Sequence, residues 1–97
     1  MIARFTFAVT FADPAAAPVE VTTGVRDYID FERRYDVSVR DLQNPKSEWL
    51  FFLAWSACHR KGLYAADFEA FLDEGVEECN LVARDRVDPT SGDQPPA

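Results

Sequence analysis

Three side chains in this sequence could bind a soft metal or act as a nucleophile–base pair: Cys58, His59 and Cys79. A structural zinc site needs about four ligands, usually delivered in short paired clips of Cys or His. Cys58 and His59 are neighbours, and on a helix neighbours point about 100° apart, so they do not converge on one ion. The same geometry keeps the thiol away from the imidazole contact that a Cys–His nucleophile requires. A core cysteine beside a surface histidine is the simpler reading. Carboxylates are abundant, 17 Asp and Glu, but acid–base catalysis needs a carboxyl whose surroundings shift its pKa. Glu32 alone borders an apolar helix face, and an ion pair with Arg33 or a nearby strand residue accounts for it. The four glycines are scattered and form no phosphate loop. The expectation is a protein with no catalytic, cofactor or metal site, and not an enzyme.

What remains is a binding protein, and its composition narrows the partner. Ninety-seven residues make one domain. Aromatics reach 13%, with eight Phe, three Tyr and two Trp. Each ring carries about 150–250 Å² of largely apolar surface. The net charge of −7 disfavours nucleic acid and anionic membranes, whose phosphates are held mainly by Lys and Arg. The acid surplus reads first as a solubility device. The alternative is an acidic DNA-mimic inhibitor of a nucleic-acid-binding host protein, built on the carboxylates of residues 67–78. No apolar run approaches the ~20 residues of a membrane helix. Met1–Phe11 lacks the charged and apolar regions of a secretory signal. A cytoplasmic chain with reduced, buried cysteines is expected.

The elements that would position any surface follow from periodicity. Phe5, Phe7, Val9 and Phe11 alternate with Arg4, Thr6, Ala8 and Thr10, the period of a half-buried strand. Pro14 and Pro18 break it. Val19–Thr22 alternates again, which predicts a hairpin with a long loop. After Gly24 the period becomes helical. Val25, Tyr28, Ile29, Phe31 and Tyr35 share the expected core arc, and Arg26, Asp27, Asp30, Arg33 and Arg34 the solvent arc. Asp36–Asn44 is polar and irregular, with one helical turn expected at Val39–Leu42, and Pro45 closes it. Ser47 is the expected N-cap of a second helix and Gly62 its C-terminal stop.

A third apolar stripe runs Phe68, Phe71, Leu72, Gly75, Val76, Cys79, with Glu69, Asp73, Glu74, Glu77 and Glu78 opposite. Asp67 suits its start. Gly75 and the terminal acids weaken it, which favours a stop near Gly75 with Val76–Val82 extended. From Arg84 onward a single large apolar residue remains, too little to offset the entropy of ordering. The expected organisation is a single α+β domain over residues 1–83, an N-terminal β-hairpin packed on three α-helices. A disordered Pro-rich tail follows over 84–97.

Trp49 to Trp55 is apolar on every side of a helical wheel. Such a helix is normally buried in a larger protein, whereas a hairpin and two helices cover only part of it. Exposed rings then form a protein interface. Trp49, Phe52 and Ser56 share an edge with His59 and Arg60, while Leu50, Phe51, Ala54 and Cys58 lie opposite and are assigned to the core. The expected partner-binding residues are Trp49, Phe52, Trp55, Ser56, His59 and Arg60.

The order of these motifs resembles the tail assembly chaperones of long-tailed bacteriophages, siphovirus type, in particular those of actinobacterial phages. The resemblance runs over about residues 3–80. It rests on Arg4-Phe5-Thr6-Phe7 with Val19-Glu20-Val21, then Arg26-Asp27-Tyr28-Ile29-Asp30-Phe31-Glu32-Arg33-Arg34-Tyr35, then Glu48-Trp49-Leu50-Phe51-Phe52-Leu53-Ala54-Trp55 leading to Gly62, then Phe68-Glu69-Ala70-Phe71-Leu72-Asp73. The Ala/Pro loop and the Cys58–His59 pair have no counterpart in that pattern. The resemblance implies a non-catalytic protein of the host cytoplasm that coats the hydrophobic tape measure protein, recruits tail tube protein and is absent from the finished virion. Self-association on the partner, as a homo-oligomer, is compatible with it. Many members also occur in a longer form made by programmed ribosomal frameshift, for which the Pro-rich tail would be a linker.

Overall fold

Strict alternation makes Ile2–Phe11 a strand, β1, with one apolar face: Phe5, Phe7, Val9 and Phe11 are all buried. The computed structural model describes residues 2–38 and 45–87. After β1 the chain turns at Asp13, whose carboxylate accepts from the Ala15 N–H (2.9 Å) and whose carbonyl accepts from the Ala16 N–H (3.0 Å). It returns as β2 (Val19–Thr22), then forms α1 (Val25–Tyr35) and α2 (Ser47–Arg60). A short α3 (Phe68–Ala70) runs into a π-helical turn over Phe71–Gly75, and the chain ends as β3 (Val76–Val87). The architecture is α+β. The helices cover the phenylalanine face of the sheet, and α2 lies against both β2 and β3.

The sheet has order β2-β1-β3, antiparallel throughout, with β1 central. The expected hairpin is therefore two strands of a three-stranded sheet. The third comes from the far end of the sequence and pairs along the whole of β1, from Phe11↔Val76 to Ile2↔Val87. Val76 to Val82 is extended, as the weakness of Gly75 in a helix predicts. The turn is held where the Ala12 N–H donates to the Gly75 carbonyl (3.0 Å). The Tyr64 ring lies where a Cβ on residue 75 would have to go, so any larger residue there would have to displace that ring. Residues 84–87, expected in a disordered tail, continue β3, because β1 offers them backbone partners. The rest of that expected tail lies outside the described residues, as does the turn expected at Val39–Leu42.

The face of α1 differs from its apolar arc. Asp27, Tyr28 and Phe31 are buried, whereas Val25 is 63% and Ile29 37% exposed. Asp27, expected in water, is wholly buried because four hydrogen bonds replace its hydration, as detailed below. Ser47 begins α2 but does not cap it: Lys46 occupies the cap position, and no side chain bonds there. Gly62 adopts positive φ (76°) just beyond the helix, as its freedom from a Cβ permits. Asp67 caps α3, its carboxylate accepting from the Ala70 N–H at 2.9 Å.

Candidate functional site

The rings of α2 join those of α1 and α3 in one cluster. Trp49 meets Phe31 edge-on (centroids 5.6 Å) and lies 6.2 Å from Tyr35. Phe52 sits between Tyr35 of α1 (5.6 Å) and Phe68 of α3 (5.3 Å), both edge-on. The Arg34 guanidinium closes over Tyr35, Phe52 and Phe68 at 5.5, 5.4 and 5.0 Å, and lies 3.8 Å from Glu69. Trp55 packs on Phe68 (5.8 Å) and stacks with His59 (4.8 Å). Burial, with the hydrogen bond Tyr35 donates to Glu48 (2.8 Å), pushes the Tyr35 phenol up to about 12.

Trp55 and His59 also hold the loop between α2 and α3. The Trp55 indole N–H donates to the Ala66 carbonyl at 3.0 Å, and His59 Nδ1 lies 3.0 Å from the Tyr64 carbonyl. That loop carries Tyr64 onto Phe11 and Phe71.

On another side of α2, a buried polar knot links three parts of the fold. Asp27 accepts from Ser56 Oγ (2.6 Å), from Arg60 Nη2 (2.8 Å) and Nε (3.3 Å), and from the Gly24 N–H (2.8 Å). The last is the reciprocal half of a capping box at the start of α1. The carboxylate in turn raises the Arg60 pKa, chiefly through the hydrogen bonding Arg60 donates to it. Beside it, the hydroxyls of Thr23 and Tyr28 share a 2.6 Å hydrogen bond, and the Phe5 N–H donates to Thr23 Oγ1 at 3.1 Å. Thus Asp27 of α1 fastens Gly24, at the end of the hairpin, to Ser56 and Arg60 of α2.

The six residues expected to bind a partner do not form one open surface. Phe52 (4% exposed) and Ser56 (6%) belong to the interior. Their assignment to an interface is corrected, since α1 and α3 both close over that edge of α2. Arg60 faces Asp27, and His59 is exposed but engaged with the loop. Trp49 and Trp55 are half-buried and lie in the ring cluster. Of the set assigned to the core, Ala54 and Cys58 are fully buried, whereas Leu50 and Phe51 are only half-buried. The apolar surface that α2 leaves partly in water is therefore Trp49, Leu50, Phe51 and Trp55.

The polar wheel position of Asp27 hides its burial. Two local signals point to it: the spacing Gly24-x-x-Asp27 at a helix start, and Ser56 and Arg60 one turn apart on α2. The acids Glu69, Asp73, Glu74, Glu77 and Glu78 are all exposed, but the chain passes from helix to strand at Gly75 and divides them.

Burial pushes the Cys58 thiol up to about 11 and Cys79 to about 12, so neither is a thiolate near neutral pH. Among the described residues, no group of three or more His, Cys, Asp or Glu could hold a metal ion, and no helix is long and apolar enough to cross a membrane. No family model, no curated protein and no solved structure matches the chain.

Proposed function

We propose that this protein is a non-catalytic tail assembly chaperone. It binds the tape measure protein of a long-tailed bacteriophage in the host cytoplasm, helps bring tail tube protein to it, and is left out of the finished virion. The supporting observation is that α2 leaves Trp49, Leu50, Phe51 and Trp55 half-buried beside a core that already encloses Phe52, Leu53, Ala54 and Cys58, with Phe51 and Trp55 one turn apart on one face. Partly wet rings on a rigid helix suit an apolar helix of a partner. Burying them there contributes about 25 cal/mol per Å², much of it offset by the cost of association. The ordered motif set resembling this chaperone family supplies the identity of the partner. The binding surface is thus shifted from the Phe52–Ser56 edge to the Phe51–Trp55 face, with Trp49 and Leu50 half-buried at the N-terminal end of the helix.

Co-expression with the tape measure protein tests this reading. The native chain should hold the partner in the soluble fraction and co-purify with it. Trp49→Ala combined with Phe51→Ala should abolish capture while leaving the far-ultraviolet circular dichroism spectrum unchanged. Undiminished capture by that folded variant sinks the assigned surface, and failure of the native chain to capture the partner sinks the function.

A further inference from the structure

We draw no further inference here: the strongest candidate, the outer edge of β3 with its exposed Leu81 and Val82, is interrupted by register breaks against β1 at Glu77 and Val82, and nothing in the structure shows what would cover it.

Discussion

Arg60 of α2 and Asp27 of α1, 33 positions apart in the chain, meet through hydrogen bonds of 2.8 and 3.3 Å, with Asp27 wholly buried and the Arg60 side chain 37% exposed. The asymmetry matters. A buried carboxylate is tolerable only while its partners stand in for water, and the more exposed arginine is the removable one.

Arg60→Met should therefore destabilise the fold by about 3 kcal/mol, the lower end for breaking a buried pair, because water can enter from the arginine side. Asp27→Asn should cost less, about 1–3 kcal/mol, since it removes the charge and keeps part of the hydrogen bonding. Urea unfolding of the single and double variants measures both. Additive losses would show that the two residues are not coupled.

The two neighbouring rings of α2 should separate stability from binding. Phe52→Ala, in the interior between Tyr35 and Phe68, should cost about 3–5 kcal/mol. Phe51→Ala, half-buried, should cost clearly less and, under the proposed function, weaken capture of the tape measure protein. If Phe51→Ala proves the more destabilising, the Phe51–Trp55 face of α2 belongs to the core.

Alkaline pH should weaken the fold. Cys58, Cys79 and Tyr35 are raised to about 11, 12 and 12, from ordinary values of 9.0 for a thiol and 10.0 for a phenol. In the unfolded chain these groups lose protons first, so from pH 9 upward the native state binds more protons than the unfolded one. Their contribution is present in full below pH 9 and is lost as pH rises through the folded values. Thermal melts from pH 7 to pH 11 should show Tm falling above pH 9. The fall should be smaller in a Cys58→Ala variant, and an unchanged Tm across that range contradicts the assignment.

Gly75→Ala should destabilise by about 1–3 kcal/mol, as overpacking does, although helix propensity alone favours Ala by roughly 1 kcal/mol. The added methyl meets the Tyr64 ring, which packs on Phe11 and Phe71. In a Tyr64→Ala background the same substitution should cost much less. Equal costs in the two backgrounds would show that the clash is absent.

Local features were legible wherever period and capping chemistry decide the outcome. The alternation of Phe5 to Phe11, the helix Val25–Tyr35, the stop at Gly62, the helix start after Asp67 and the break at Gly75 all depend on nearby residues, and each stands where its chemistry places it, whereas Ser47 does not cap α2. The site was less legible. A wheel apolar all round has no direction, so nothing within Trp49–Trp55 tells Phe52 from Phe51.

By itself, then, the sequence determined the α+β class, the first strand and its apolar face, and the change from helix to strand at Gly75. The tertiary structure decided the rest: that β3 completes the sheet against β1, that α1 turns Asp27 inward and Val25 outward, and that Phe52 is enclosed while Phe51 is half-wet. The physical reason is one of range. Alternation, caps and glycine act over a few residues. The burial of a charge or a ring is set by what another element brings to it, as Ser56 and Arg60 do for Asp27 and as Arg34 and Phe68 do for Phe52.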